Sequence, residues 1–211
     1  MSSWCNLAKG RFANRRAWRG GRRWKTAVFM ALIVVCCTLE KPLAEETRAL
    51  WKALESKGHV ALLRHAIAPG TGDPSSFKIG DCSTQRNLSD TGREQAARIG
   101  ARFVANGIKA ARIFSSQWCR CMETATLLGL GPVQELPALN SFFETPERRN
   151  DQTLDLRDWL ASEDLNEPLV LVTHQVNITA LTRVYPTSGE LVVVRRSESG
   201  ELSVLGTLET E

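Results

Sequence analysis

Two short runs constrain this chain more than any other feature: VALLRHA at 60–66 and LVLVTHQ at 169–175. In each, four apolar residues lead straight into polar groups that include a histidine. An unbroken apolar run of that length reads as a strand buried on both faces, the kind found in the middle of a parallel sheet. Such a strand cannot bury an arginine or an imidazole at its end without partners. Two of the chain's three histidines close these runs; the third, His59, follows Gly58 and reads as a surface residue.

The segments around the runs alternate. Residues 45–57 read as a helix, followed by the strand VALLR and a loop broken by Gly70, Gly72, Pro74 and Gly80. Ser89 is placed as the N-cap of a long helix reaching Asn106, with Ala96, Ala97, Ile99, Gly100 and Phe103 on its apolar face. ARIFSS (111–116), a helix over 118–128, VQEL (133–136), a helix over 152–162, PLVLVT (168–173) and a helix over 175–184 follow. ELVVVRR and LSVLGTL close the chain as a hairpin around Ser199-Gly200. Strands separated by helices predict an α/β fold: a three-layer sandwich with a mostly parallel central sheet flanked by helices.

In open α/β sheets, ligands bind beyond the carboxyl ends of the strands. Three strand ends here carry polar groups: Arg64 and His65; Ser115 and Ser116, with Arg120 a turn later; and Thr173 and His174. Two guanidinium forks match the oxygens of a phosphate. A helix start adds free N–H groups and a positive dipole end. An imidazole beside that anion is a nucleophile for phosphorus, and a second imidazole stabilises the group in transfer. The set predicts phosphoryl transfer without a metal or cofactor.

The net charge of +4 does not point to nucleic acid. Residues 1–25 hold eight basic residues and no acid, and without them 19 basic residues face 23 acidic ones. TAVFMALIVVCCTL (26–39) follows, apolar and uncharged. A basic segment before a short apolar one is the pattern of a secretory signal. A spanning helix takes roughly 20 apolar residues. Residues 1–44 are therefore expected to be a signal peptide, or an N-terminal membrane anchor, and residues 45–211 the working domain. The expected location is periplasmic or exported, with inner-membrane anchoring as the alternative; any membrane association runs through the N-terminal segment only. Ala44 fits the last position before a cut, whereas Pro42 is atypical two places earlier. Three cysteines remain beyond the leader, and Cys82 is expected to pair with Cys119 or with Cys121. Zinc would want four ligands at tighter spacing.

Over most of residues 59–183 the chain resembles the histidine phosphatase superfamily, the phosphoglycerate-mutase-like group. LLRHA resembles that family's Arg-His-Gly, with Ala66 in place of the glycine. NLSDTGREQA (87–96) is similar to its Leu-Ser-x-x-Gly-x-x-Gln-Ala block, and SSQWCRCMETA (115–125) to Ser-x-x-x-Arg-Ala-x-x-Thr. LVLVTH resembles the last block. The resemblance implies His65 as nucleophile, with Arg64, Arg120 and His174 holding the phosphoryl group and Ser116 beside them. It implies a small phosphorylated substrate and no cofactor or metal. The family's Leu-x-Glu acid is missing: Ser141 stands after Leu139-Asn140, so Glu144, or else Asp151, is the expected proton donor. Gln175 replaces a glycine. Lys78, Arg86, Arg148 and Arg149 are candidate pocket walls. Only 53 residues separate Arg120 from His174, too few for the insertion of the mutases, which favours hydrolysis of a phosphomonoester. The alternatives are an inactive relative that binds a phosphorylated ligand and a phosphohistidine phosphatase.

Overall fold

The structure, a computed structural model, describes residues 43–210. All but the end of the expected leader lies outside the described residues. Among those described, no helix is long and apolar enough to cross a membrane.

Helix α1 (43–54) turns Leu50, Trp51 and Leu54 into the core. Then come β1 (His59–Arg64), α2 (Asp90–Ala105), β2 (Arg112–Ser115), α3 (Cys119–Leu127) and β3 (Val133–Glu135). The rest is α4 (Arg149–Ser162), β4 (Leu169–Thr173), α5 (Gln175–Thr182), β5 (Leu191–Arg196) and β6 (Leu202–Leu208). The strands form one sheet in the order β3-β2-β4-β1-β5-β6. The first four are parallel and the closing hairpin is antiparallel.

Alternation along the central strands creates the layers. Ala61 and Leu63 of β1, with Val170 and Val172 of β4, join the core beneath α1, α2 and α3. Val60 and Leu62, with Leu169 and Leu171, join the opposite core with α4 and α5. Both faces of these strands are thus apolar, which is why the sequence shows runs and not alternation. The three-layer α/β sandwich is the expected one.

Helix α2 is fixed at its start by Ser89, whose Oγ accepts from the N–H of Gly92 at 3.0 Å. Gly92 has a second constraint: a Cβ there would lie 2.1 Å from the Ile67 carbonyl oxygen. The helix therefore packs directly on the loop that leaves β1. Helix α4 begins at Arg149, three residues before its expected start, because a 3-10 turn over Pro146–Arg148 feeds into it.

Strand order puts β2, β4 and β1 side by side and parallel. Arg64 pairs with Thr173 and Ser115 with Val172, so the three polar ends lie level along one edge. His65 N–H continues the ladder onto Thr173 O at 3.0 Å, and Ser116 N–H onto Val172 O at 2.9 Å.

Candidate active site

Beyond that edge opens a cavity of about 680 Å³ that Arg64, His65, Arg120 and His174 all line. His65 and His174 are buried, with ring centroids 5.5 Å apart. The bond between His65 Nδ1 and the Ala66 carbonyl, 2.8 Å, sets the tautomer. A carbonyl only accepts, so Nδ1 carries the proton and Nε2 keeps its lone pair. The loop behind the ring is held in turn. Thr124 Oγ1 accepts from the N–H of Ala66 at 3.0 Å, and Gln95 Oε1 accepts from that of Ile67 at 3.0 Å. The threonine and glutamine of the two middle sequence blocks thus fix the backbone that aims His65.

Burial, and then the charge of Arg120, push the His65 pKa down to about 3. The same two causes hold His174 well below the ordinary imidazole range. Both rings are neutral at neutral pH and face cations.

Arg120 is buried, and its Nη1 donates to Asp73 Oδ1 at 2.8 Å and Oδ2 at 3.1 Å. Its Nη2 reaches His174 Nδ1 at 3.4 Å, and its Nε has no partner. Arg64 gives Nη1 to Pro186 O at 2.9 Å and likewise keeps an unpartnered Nε. A buried guanidinium N–H left without an acceptor is costly unless an acceptor arrives. Two such donors around one imidazole with a free lone pair suit an oxyanion.

Some expected residues sit elsewhere. Ser116 is fully buried and is not on the cavity wall; its Oγ lies 2.9 Å from His174 Nε2 and donates to Asn140 Oδ1 at 3.3 Å. Its place is behind the second ring. Ser115 turns back onto Ser116 O, and Thr173 Oγ1 donates to Leu139 O. Glu144 is exposed on the cavity rim; Asp151 is exposed on α4 and does not line the cavity. Arg86 and Arg148 line it, while Lys78 and Arg149 do not.

Asp73 escaped the sequence reading. It accepts from Arg120, from the indole N–H of Trp118 at 3.0 Å and from the N–H of Arg86 at 3.1 Å. Burial alone would raise its pKa; the hydrogen bond and charge of Arg120 outweigh that and lower it. Its signal in the sequence, Gly72-Asp73-Pro74, is that of a turn. A disulfide joins Cys82 to Cys119, clipping this loop to the start of α3 beside Arg120. Cys121 is free and buried, its thiol pushed up to about 12 by burial. Among the described residues, no three His, Cys, Asp or Glu side chains gather as metal ligands.

Solved structures share this fold at low sequence identity. The protein histidine phosphatase SixA complexed with tungstate is 15% identical, with a TM-score of 0.53 over 72% of this chain and 97% of its own. The product of the open reading frame Rv3214 of Mycobacterium tuberculosis is 16% identical, with a TM-score of 0.54 over 69% and 94%. A phosphoserine phosphatase of Entamoeba histolytica, in complex with phosphoserine, is 13% identical, with a TM-score of 0.53 over 72% and 98%. No curated protein matches the chain in sequence. Residues 60–144 match the histidine phosphatase superfamily (branch 1), a stretch that holds Arg64, His65 and Arg120, while His174 beyond it reaches the same site through β4. Over residues 60–144 the chain is thus similar to the histidine phosphatase superfamily, and the fold of the described residues is shared with the solved structures.

Proposed function

We propose that the protein is a phosphatase that hydrolyses a phosphomonoester through a phosphohistidine on His65. The observation that carries this is the His65 ring itself. Its Nδ1–H is committed to Ala66 O, so a neutral Nε2 is left among the guanidinium groups of Arg64 and Arg120.

In the first step the Nε2 lone pair attacks phosphorus and the P–O bond to the ester oxygen breaks. The phosphoryl oxygens take the free N–H donors of Arg64 and Arg120, which neutralise charge where it concentrates. A dianion here also reverses the balance that keeps His174 neutral, because it offsets the cations that disfavour protonation. Protonated His174 then donates to the phosphoryl group, with Ser116 holding the far side of its ring. The departing oxygen takes a proton from Glu144 at the rim or from water. In the second step water attacks phosphorus, the P–N bond breaks, and phosphate leaves with His65 restored. Tungstate in SixA, a tetrahedral oxyanion, fits the same reading.

The test is turnover of p-nitrophenyl phosphate, whose leaving group needs little acid assistance. Hydrolysis that persists in chelator and is lost in His65→Ala supports the proposal. Phosphate binding without turnover of any ester leaves a ligand-binding relative in its place.

The proposed location is the periplasm or beyond. The basic and apolar leader supports it, as does the Cys82–Cys119 disulfide, a bond that persists in oxidising compartments. N-terminal sequencing of the mature protein tests it: a start near residue 45 is expected, and an intact leader points to an anchor.

A further inference from the structure

The cavity is far larger than one tetrahedral anion. At about 680 Å³ it falls in the ~300–1,000 Å³ range of sites that enclose a drug-sized molecule. Its outer walls are unusual in what they expose.

Eight large apolar side chains among the described residues are strongly exposed, and three of them, Ile79, Phe143 and Tyr185, line this cavity. Their exposures are 51%, 50% and 73%. They arrive from loops far apart in the chain: one between β1 and α2, one between β3 and α4, one between α5 and β5. Single exposed apolar residues need no explanation, but convergence on one opening makes a patch, and such patches mark binding surfaces. Phe77 extends the patch inward, stacked on Trp118 at 4.8 Å between ring centroids.

Some polar groups on the walls are committed, while the side chains of Thr71, Ser75, Glu144, Thr145 and Arg148 stay free. Arg86 spends its guanidinium on the carbonyls of Gly72 and Ala68. Asp73 is taken by Arg120. Gln175, the one carboxamide on the cavity, donates to Thr179 Oγ1 at 2.8 Å. A sugar needs free amides and carboxylates for its hydroxyls, and on these walls Glu144 is the one carboxylate left free. A ring or a hydrocarbon chain needs only apolar surface and water to displace.

We propose that the substrate is an amphiphilic phosphomonoester: its phosphate sits on Arg64, His65 and Arg120, and its alcohol half carries an apolar group that packs on Ile79, Phe143 and Tyr185. This rests on the phosphatase reading above. The shared chemistry is an apolar leaving group, aromatic or aliphatic.

Two matched pairs of esters test it on the full-length protein. 2-Naphthyl and phenyl phosphate leave with similar ease but differ in apolar area, and octyl and butyl phosphate do the same for a chain. Glucose 6-phosphate serves as the polar comparison. The expected result is kcat/KM higher by about tenfold or more for the larger member of at least one pair, from the added buried carbon. The pair that shows it tells ring from chain. Glucose 6-phosphate should fall below both larger esters. The preference should shrink toward one in Phe143→Ser and again in Tyr185→Ser, exposed positions whose replacement spares the core. Hydrolysis of every ester with ratios near one, or with glucose 6-phosphate preferred, overturns this inference and leaves the phosphatase reading standing. No hydrolysis of any ester, p-nitrophenyl phosphate included, overturns both.

Discussion

The carboxylate of Asp73 lies 2.8 Å from Nη1 of Arg120, so the cation at the base of the cavity is already paired with an anion from its own chain. Both side chains are nearly buried, at 9% and 3% exposure. Removing one member of a buried pair leaves an uncompensated charge and costs about 3–5 kcal/mol. Asp73→Asn should therefore lower the melting temperature substantially. It should also leave Arg120 seeking another anion, so inorganic phosphate should raise the melting temperature of the variant more than that of the parent protein. Equal phosphate shifts in the two would show that Asp73 does not share Arg120 with the ligand.

Ser116 supports the second histidine from behind. With Nη2 of Arg120 donating to His174 Nδ1, the ring presents Nε2–H to Ser116 Oγ. Ser116→Ala removes that anchor without touching the cavity wall. Misplacing a reacting group by about 1 Å costs up to a hundredfold. The expected result is kcat lower by about ten- to a hundredfold with KM little changed, and partial recovery in Ser116→Thr. A rise in KM alone would instead place Ser116 in substrate binding.

Much of this arrangement was legible in the sequence. Strand β6 falls on LSVLGTL and β1 within one residue of VALLR, because long apolar runs and a glycine turn leave few alternatives. The level strand ends followed from parallel topology. What escaped depends on side-chain direction. Ser115 and Ser116 read as edge hydroxyls, yet both turn inward, onto Ser116 O and onto His174. The cysteine pairing stayed open between Cys119 and Cys121; residues two apart on a helix point to different faces, and here Cys121 faces Thr173 and His174 while Cys119 faces the loop. Asp73 had no periodicity to mark it, only turn residues on either side. Of the two candidate acids, Glu144 lies near the cavity mouth and Asp151 away from it.

Acid should destabilise the fold early. The folded pKa of His65 is about 3, below the ~6.5 of an unfolded chain, so as pH falls the unfolded chain takes the proton first. Stability is full above about pH 6.5 and is lost as the pH drops toward 3, by up to about 1.4 kcal/mol per pH unit for this residue. His174, shifted the same way, adds to the slope. Urea midpoints between pH 7 and 4 measure it, and His65→Gln should flatten the curve. A pH-independent midpoint in the parent protein would mean the rings are not buried neutral.

The disulfide closes a loop of 37 residues, which predicts about 3–4 kcal/mol of stabilisation from the restricted unfolded chain. Reductant, or Cys82→Ser, should lower the melting temperature and weaken phosphate binding, because the loop carrying Asp73 loses its clip to α3. Cys121→Ser should leave the response to reductant unchanged. No effect of reductant on either property would remove the disulfide from the account of the site.

The most direct test of the central claim is to trap the phosphorylated enzyme. Protein mixed with a fast-reacting phosphate ester and quenched within milliseconds at alkaline pH, then digested for mass spectrometry, should carry one acid-labile phosphoryl group on His65. His65→Ala should carry none and should not turn over. Phosphoryl found on another residue, or hydrolysis that survives in His65→Ala, would contradict it.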